Sequence, residues 1–422
     1  MSDQTPSTHS RTRPLRIVLL NQPFFPDVVA TAQMGKDLAD VLARRGHEIH
    51  AIASRSIYGH AGATLPSWEV VAVEGAAHPI RVHRVGASLF GKGNLPARLT
   101  DFALFYVLAL WKLLVMPRPD VVVSFTTPPL IGFAGLLARF FRASRAVHWI
   151  MDLYPDVLVA CGVTPARGVV ARLVGFFSTW LLRSSDANVV LGRCMEERVL
   201  SRGVRADRVV RIPVWADLRG IEPVPHEQNP FRAKWAPQGQ FVVMYSGNFG
   251  LGHDASTILD AILRLREHKD IAFVFVGSGK RKAEVLEFVA KHAMTGVSWN
   301  EYAPREQLGQ SLSAGDVHLI SLREGAEGAI VPSKLFGIMA VARPSLFVGN
   351  PKSEIARVLG ECEGGIVVRE GQGEALARAI LDLKADPDRR RAMGERARGA
   401  IAGRYDKETA CGQWADLLER LG

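Results

Sequence analysis

Short apolar segments with the character of β-strands alternate with helical segments along this chain, and the alternation starts again after residue 240. Apolar strands joined by helices are typical of parallel sheets covered on both faces. The predicted strands comprise residues 16–20, 47–53, 120–125, 146–151, 187–191 and 208–212 in the first series, and residues 241–245, 271–276, 317–321 and 345–348 in the second. The sequence therefore predicts two doubly wound α/β domains, whose ligands would bind at the carboxyl ends of the strands.

Between the two series, residues 213–240 contain five prolines and mixed charges, which is typical of an interdomain connection. A length of 422 residues also suits two domains of roughly 200 residues each. We therefore predict a first domain at residues 15–215 and a second at residues 216–403. A disordered leader is predicted at residues 1–14, and a helical tail that joins the first domain at about 404–422.

The positive charge of the chain is concentrated in its first half. Residues 1–215 hold 25 Lys and Arg against 15 Asp and Glu, and residues 216–422 hold 27 of each, so the first half carries the whole net charge of +10. This asymmetry favours an anionic partner, either nucleic acid or an acidic membrane surface. A hydrophobic content of 48% excludes a mostly disordered chain.

The cysteines and the N-terminus both suit a cytoplasmic protein. None of the four cysteines belongs to a C-x-x-C pair, which argues against a zinc ribbon or a disulfide framework. The polar N-terminus is not followed by an apolar signal-peptide core. We expect a cytoplasmic protein, held peripherally on the inner face of the plasma membrane by its basic first half.

One segment, from Phe102 to Met116, is apolar except for Lys112. It is shorter than the ~20 residues that a membrane-spanning helix needs. One interpretation is a buried helix of the first domain. The other is a helix lying on an anionic bilayer surface, with Tyr106 and Trp111 near the headgroups, and the basic excess of this half favours it.

The loop that follows the strand at residues 241–245 is rich in small residues and precedes a predicted helix. Small residues let backbone amides approach an anion, and the start of a helix favours negative charge. Its candidate binding residues are Ser246, Gly247, Asn248, Gly250 and His253. Asn248 can donate to a phosphate or sugar oxygen, and His253 can donate or carry a positive charge. The alternative is an ordinary turn in which Asp254 caps the helix.

A second loop with glycines follows the strand at residues 317–321. Glu327 precedes a glycine turn, where a carboxylate could accept hydrogen bonds from sugar hydroxyls. Lys334 begins the next helix, where a cation opposes the helix dipole, so a bound phosphate would explain its presence. The candidate residues of this loop are Arg323, Glu327, Gly328, Pro332, Ser333 and Lys334. The alternative is an exposed loop of mixed charge.

Two carboxylates, Asp152 and Asp156, follow the strand at residues 146–151. At the end of a parallel strand they would point toward a ligand, and Asp152 is the candidate to meet an acceptor hydroxyl. Asn21 follows the first strand of the same domain and is a further acceptor-side candidate. The alternative role for the two carboxylates is capping of a helix.

In their order and spacing, these loops resemble those of the GT-B fold glycosyltransferases. The chain is most similar to the family 4 enzymes of bacterial surface-polysaccharide assembly, including their fucosaminyltransferase-like branch. The most specific stretches are residues 152–156, 246–254, 332–334, 340–344 and 393–394. The resemblance implies two Rossmann-like domains facing across a cleft, with a C-terminal helix crossing back onto the first domain.

The resemblance also implies the roles of particular residues. The second domain would bind a nucleotide-sugar donor, expected to be UDP-linked, and the first domain would bind the acceptor. Gly247 and Asn248 would lie at the donor diphosphate, Lys334 would bind it, and Glu327 would approach the donor sugar. Transfer would retain the anomeric configuration without a metal, because positive side chains and backbone amides would stabilise the leaving diphosphate.

The nucleotide base would lie near residues 276–279, which include Gly277, and near residues 300–303. The second glutamate that the family often carries has no counterpart at Leu335, and Glu354 is the expected substitute at the ribose.

Asn248 and His253 stand where the family usually carries a basic pair. The charge of the diphosphate would then fall to Lys334, with Arg323 or Arg193 as further partners.

Three functions follow from these observations. The favoured one is a hexosyl- or N-acetylhexosaminyl-transferase acting on a membrane-associated acceptor, a polyprenyl-diphosphate-linked saccharide. The alternative is a non-hydrolysing nucleotide-sugar epimerase of the same architecture, which would need no lipid. A nonenzymatic binder of membrane or nucleic acid would leave the anion-binding loops without a role, and the basic residues lack the interleaved aromatic residues of a nucleic-acid surface.

Overall fold

The computed structural model describes residues 13–57, 60–87 and 95–422. Residue contacts divide the chain into two compact units, the first comprising residues up to 148 together with 411–422, and the second comprising residues 149–410. The chain thus passes from the first unit to the second after residue 148, earlier than the predicted boundary at residue 215. The predicted leader lies outside the described residues except for Arg13 and Pro14.

The first unit is built on a largely parallel sheet. Its strands are β1 (Arg16–Leu20), β2 (Glu48–Ala53), β3 (Ser56–Ile57), β4 (His60–Thr64), β5 (Trp68–Val71), β6 (Ile80–Arg84), β7 (Val121–Ser124) and β8 (Arg145–Trp149), and its helices are α1 (Ala30–Arg44), α2 (Leu95–Val115) and α3 (Gly132–Arg142). The sheet order is β8-β7-β1-β2-β6-β5, and every pair is parallel except β5 with β6. β3 and β4 form a separate antiparallel pair.

The second unit contains a six-stranded sheet in which all pairs are parallel, in the order β13-β12-β11-β14-β15-β16. The strands of this unit are β9 (Ala187–Val190), β10 (Val209–Arg211), β11 (Phe241–Ser246), β12 (Ile271–Val276), β13 (Val297–Asn300), β14 (Val317–Ser321), β15 (Ser345–Val348) and β16 (Gly365–Val368). Its helices are α4 (Asp156–Ala160), α5 (Val169–Ser184), α6 (Arg193–Ser201), α7 (Pro230–Trp235), α8 (Ser256–Arg264), α9 (Lys282–Lys291), α10 (Leu308–Ser313), α11 (Lys334–Ala340), α12 (Glu354–Cys362), α13 (Gly373–Ala385) and α14 (Pro387–Gly399).

The order of the second sheet places the loops of interest. β11 lies between β12 and β14. Strands β12 and β13 are added on one side of β11 and strands β14 to β16 on the other, so the order of strand addition reverses at the β11–β14 pair. Such a reversal opens a crevice at the carboxyl ends of the strands, where ligands of open α/β sheets bind. The loops after β11, β12 and β14 all leave from this edge.

The last helix, α15 (Lys407–Leu421), belongs to the first unit from residue 411 onward. The Arg45 guanidinium reaches Asp416 at 2.8 Å and Glu419 at 3.3 Å. Trp414 of this helix is fully buried. The C-terminal residues are therefore an integral part of the first unit, as the resemblance implies.

The prediction of two parallel sheets is confirmed. Four strands of the two sheets were not predicted. Three of them are edge strands: β5 is largely exposed, β13 has polar residues at two of its four positions, and β16 begins with glycine. The fourth, β6, lies inside the first sheet and is mostly buried, but Arg and His occupy three of its five positions and hide the apolar pattern. The proline-rich connection at residues 213–240 also contains a short helix, α7.

Helix α2, which contains the apolar segment, has one buried face and one exposed face. It spans 21 residues, longer than the segment recognised in the sequence. Phe105 and Leu113 are buried in the core of the first unit, whereas Val107, Trp111 and Val115 are exposed on the outer face. Within residues 13–57, 60–87 and 95–422, no helix has both the length and the apolarity needed to cross a membrane.

Candidate active site

The loops after β11 and β12 interlock through glycines. The Phe249 N–H donates to the Ser278 carbonyl at 2.7 Å, and the Gly247 N–H donates to the Val276 carbonyl at 2.9 Å. Gly277 has φ +128°, and a Cβ atom there would lie 2.5 Å from the carbonyl oxygen of Gly247. The glycine is therefore required by the close approach of the two backbones.

Lys334 connects the third loop to the first. It begins α11, and its Nζ lies 3.7 Å from the centre of the Tyr245 ring and donates to the Tyr245 hydroxyl. A Cβ atom on Gly247 would lie 3.3 Å from Cε of Lys334. The structure thus brings together Gly247 and Lys334, two of the three residues that the resemblance assigns to a diphosphate.

Burial lowers the pKa of Lys334 well below its usual value, although part of the side chain remains accessible. A lysine with a lowered pKa at a glycine loop is prepared to gain charge when an anion arrives.

Tyr245 is a site residue that sequence reasoning did not single out. Its ring is buried, and its hydroxyl donates to the Asn248 carbonyl at 3.3 Å while it accepts from Lys334. The signal in the sequence was a phenol at the end of an otherwise apolar predicted strand, residues 241–245. Its function in the structure is to hold Lys334 against the glycine loop.

His253 is neutral at physiological pH. Burial, together with the nearby Lys334, lowers its pKa to about 3. Its Nδ1 lies within hydrogen-bonding distance of the Ser321 carbonyl, which only accepts, so Nδ1 carries the hydrogen and Nε2 is an acceptor. The structure therefore does not support a positive charge on His253. The alternative role of Asp254 is confirmed, since its carboxylate accepts from the Thr257 N–H at 3.1 Å near the start of α8.

The remaining loop residues occupy the same edge. Ser246 ends β11, and Asn248 is exposed. A Cβ atom on Gly250 would lie 3.4 Å from the side-chain amide nitrogen of Asn248. Pro332 and Ser333 lead into α11, and the Ser333 side chain makes no capping hydrogen bond.

Glu327 lies in the loop after β14 with one oxygen engaged and one not. Oε2 accepts from the Gly325 N–H at 2.8 Å. Oε1 is buried and accepts no hydrogen bond from any residue in the described part of the chain. A buried carboxylate oxygen with spare capacity can accept from a ligand hydroxyl.

Asp152 is bound to the same loop through its backbone. Asp152 and Ile330 form an antiparallel bridge, and the Leu153 N–H donates to the Ala329 carbonyl at 2.8 Å. Burial raises the pKa of Asp152 to about 6. A carboxyl group with a pKa raised toward neutrality is suited to proton transfer. The bridge partner of Asp152, Ile330, follows Glu327 by three residues along the chain.

Gly328 completes this junction. A Cβ atom there would lie 2.7 Å from the carbonyl carbon of Cys194, at the start of α6. The Glu327 loop is therefore packed closely against α6 as well as against Asp152.

Two candidate carboxylates already have strong protein partners. Asp156 is paired with Arg198 at 2.8 Å and with Arg202. Glu354 accepts from the backbone N–H of Arg193 at 2.7 Å and forms an ion pair with the guanidinium of the same residue at 3.0 Å. The acceptor contact expected of Asp156 and the ribose contact expected of Glu354 would have to use the acceptor capacity that these ion pairs leave on each carboxylate.

The same pairs decide which arginine is available to an anion. Arg193 is held by Glu354 and by Glu361. Arg323 forms no ion pair within the residues that the structure describes, and its N–H donates to the Gly252 carbonyl at 2.9 Å. Of the two arginines, Arg323 is thus the one whose charge no carboxylate in the described part of the chain engages.

The two segments expected at the nucleotide base are neighbours. The Gly277 N–H donates to the Asn300 carbonyl at 2.8 Å, and the Trp299 indole donates to the Gly277 carbonyl at 2.8 Å. Tyr302 is exposed, with its ring 2.9 Å from a Cβ position on Gly277.

Asn21 belongs to the first unit, where it follows β1. Its amide nitrogen donates to the Pro23 carbonyl at 2.8 Å, and its buried Oδ1 has no hydrogen-bond partner among the described residues.

Two family models match the chain. Residues 31–215 match the model described as glycosyl transferase 4-like domain, and residues 227–400 match glycosyl transferases group 1. The gap between the two matches falls in the proline-rich connection.

Two curated relatives, both with provisional names, point the same way. The chain is 32% identical over 270 residues to glycosyltransferase WbjE of Pseudomonas aeruginosa, covering 63% of this chain and 66% of that protein. It is 25% identical to colanic acid biosynthesis glycosyl transferase WcaI of Escherichia coli (strain K12), covering 87% of this chain and 91% of that protein.

Solved structures share the fold. Sucrose-phosphate synthase from Thermosynechococcus elongatus superposes with a TM-score of 0.77 at 16% identity, over 96% of this chain and 99% of that one. Anabaena Alr3699/HepE, solved in complex with UDP-glucose, superposes with a TM-score of 0.70 at 14% identity, over 96% of this chain and 100% of that one. With both family models matched and this fold shared, the chain belongs to the glycosyltransferases of the GT-B fold, with a 4-like domain followed by a group 1 domain.

Proposed function

We propose that this glycosyltransferase moves a sugar from a nucleoside diphosphate, expected to be UDP, to a polyprenyl-diphosphate-linked saccharide at the inner face of the membrane. The product would belong to a surface polysaccharide. The observation that carries the donor assignment is the approach of Lys334 to Gly247 at the switch point of the second sheet, where a Cβ atom on Gly247 would lie 3.3 Å from Cε of Lys334. The UDP-glucose complex of Alr3699/HepE and the colanic acid assignment of WcaI support the donor class and the pathway type.

In the proposed mechanism the donor diphosphate lies on the backbone amides after β11, beside Lys334 and Arg323. These groups would stabilise the negative charge that develops on the diphosphate as its bond to the sugar carbon breaks, without a metal. Glu327 would accept from a donor hydroxyl through its free oxygen. Asp152 would receive the proton of the acceptor hydroxyl as the new bond forms, on the face that retains the anomeric configuration.

The outer face of α2 supports a membrane-associated acceptor. Trp111 is 64% exposed and lies in line with Val107 and Val115 on that face. The C-terminus of α2 is joined to α3 by Arg142, which donates to the Met116 carbonyl at 2.9 Å, and α3 exposes Phe140. An apolar face with basic neighbours suits the interface of an anionic bilayer.

The curated relatives are named as transferases, so the epimerase alternative is not favoured. A direct test is calorimetric titration with UDP, GDP and their sugar conjugates in the presence of EDTA, followed by transfer assays on lipid-linked acceptors with the product anomer determined by NMR. Tight binding of one nucleotide and transfer with retention are expected. Binding of none, or a change of donor stereochemistry without transfer, would overturn the proposal.

A further inference from the structure

Helix α5 presents an apolar face away from the protein. Val169, Leu173, Phe176 and Trp180 are 71%, 55%, 67% and 53% exposed. They follow one another at intervals of four, three and four residues, so they form one stripe along the helix.

The opposite face of α5 is the one that packs on the protein. Ala171, Ser178, Leu181 and Leu182 are buried there. The outward face of a helix in a water-soluble protein is ordinarily polar, so α5 has its apolar residues on the wrong side for contact with water. A contiguous exposed stripe of this kind marks an interaction site.

Charge identifies the kind of partner. Residues 157–185 contain three arginines, Arg167, Arg172 and Arg183, and no Asp or Glu. Arg172 and Arg183 lie along one border of the stripe, since they precede Phe176 and follow Trp180 by four and three residues. Arg183 donates to the Arg202 carbonyl, so Arg172 is the one of this pair with its guanidinium available to a lipid phosphate. Aromatic and aliphatic residues bordered by arginines are suited to the headgroup region of an anionic bilayer, where lipid phosphates neutralise the guanidinium groups.

The inner face of α5 touches the loop that carries Asp152. A Cβ atom on Gly175 would lie 3.6 Å from the Pro155 ring. The Ser178 hydroxyl accepts from Arg202 at 3.1 Å, and Arg202 in turn donates to the Tyr154 carbonyl at 2.8 Å. A surface seated on α5 would therefore lie one helix away from the proposed acceptor carboxylate.

We infer that the outer face of α5 docks on the surface of an anionic membrane and sets the depth at which a lipid-borne acceptor meets Asp152. The docking itself is independent of the reaction; the delivery of the acceptor rests on the proposed function. This surface is distinct from α2, which belongs to the first unit.

The test is vesicle flotation of the full chain with the triple variant Val169→Gln, Leu173→Gln, Phe176→Gln. Glutamine keeps helix propensity, and these exposed positions leave the core intact. With vesicles of phosphatidylcholine and phosphatidylglycerol, the triple variant should bind at least about tenfold more weakly than the parent. Leu286→Gln makes the same change as Leu173→Gln at an exposed position of α9, outside the stripe, and should bind as the parent does.

A second variant, Arg167→Gln with Arg172→Gln, should weaken binding at low salt and leave it unchanged on phosphatidylcholine alone. UDP titration of each variant serves as the folding control. It also separates the two proposals, because a parent that binds no nucleotide would defeat the proposed function, whereas the flotation result would still decide whether α5 docks on a membrane. Equal vesicle binding by parent and triple variant would overturn the inference. So would a parent dimer that the triple variant converts to a monomer, because a second copy would then cover this face.

Discussion

Replacing Lys334 by methionine should have opposite effects on stability and on nucleotide binding. Methionine keeps the unbranched stem that lies against Gly247 and the Tyr245 ring but removes the charge. Because burial lowers the pKa of Lys334, charging this amine destabilises the ligand-free protein. The variant should therefore unfold at a higher temperature than the parent at neutral pH.

The lowered pKa of Lys334 also fixes how the free energy of unfolding changes with pH. A lysine whose pKa is lower in the folded chain than in the unfolded chain binds fewer protons when folded, so its unfavourable contribution is full below the folded pKa and vanishes above the unfolded pKa. The free energy of unfolding of the parent should rise with pH across that interval relative to the Lys334→Met variant. Thermal unfolding measured at several pH values between neutrality and about pH 10 checks this.

Binding should move in the other direction. Two unit charges about 4 Å apart interact by about 4 kcal/mol at an effective dielectric constant of about 20. The free-energy cost of charging the buried amine cancels part of this attraction. We therefore expect the Lys334→Met variant to lose about 2 to 3 kcal/mol of binding free energy, which raises its Kd for UDP about 30- to 150-fold. Calorimetric titration measures this loss. A variant that binds UDP as tightly as the parent, or that is less stable without it, would refute the reasoning.

Three further predictions concern neighbouring groups. Asp152→Asn should lower kcat and abolish the acid limb that the parent shows as pH falls through about 6, and an unchanged rate profile would remove Asp152 from the chemistry. The variant should also raise the unfolding temperature at neutral pH, by an amount that shrinks as pH falls from about 6 and vanishes below about pH 3, because the penalty of a raised carboxyl pKa disappears only below the pKa of the unfolded chain. Gly277→Ala should destabilise the fold by about 2 to 4 kcal/mol in denaturant titrations, because its Cβ meets the Gly247 carbonyl, whereas Gly239→Ala, also at positive φ but with open space around it, should cost about 1 kcal/mol; equal losses would show that contact with the neighbouring loop is unimportant. EDTA should leave the transfer rate unchanged if Lys334 and Arg323 carry the diphosphate charge, and a rate that returns only on addition of Mg²⁺ would contradict that assignment.

The sequence was informative where the chemistry is local. The strands at the centre of each sheet are buried on both faces, so their apolar character alone identifies them, and the loops that follow them must lie at one edge. On this basis Gly247 and Lys334 were each predicted in a loop that binds an anion, and the resemblance assigned both to one diphosphate although 86 residues separate them. Edge strands such as β5 and β13 carry polar residues, so they give a weaker signal.

What could not be predicted depends on partners distant along the chain. Asp156 and Glu354 have the appearance of ligand-binding carboxylates, but Arg202 and Arg193 neutralise them from 46 and 161 positions away. The tautomer of His253 depends on the Ser321 carbonyl, which no local spacing reveals. The outward face of α5 was also invisible, because a helix with apolar residues on most sides has the same sequence pattern whichever side is covered.

The backbone pairing of residues 152–153 with residues 329–330 has a consequence for engineering. Main-chain atoms make these contacts, so no side-chain hydrogen bond is needed to set the separation between Asp152 and the Glu327 turn. Neighbouring residues can therefore be exchanged to change the sugar or acceptor without disturbing this spacing. A chimera joined in the proline-rich connection would take its two carboxylates from different parents, whereas one joined after residue 148 would inherit them together as a tested pair.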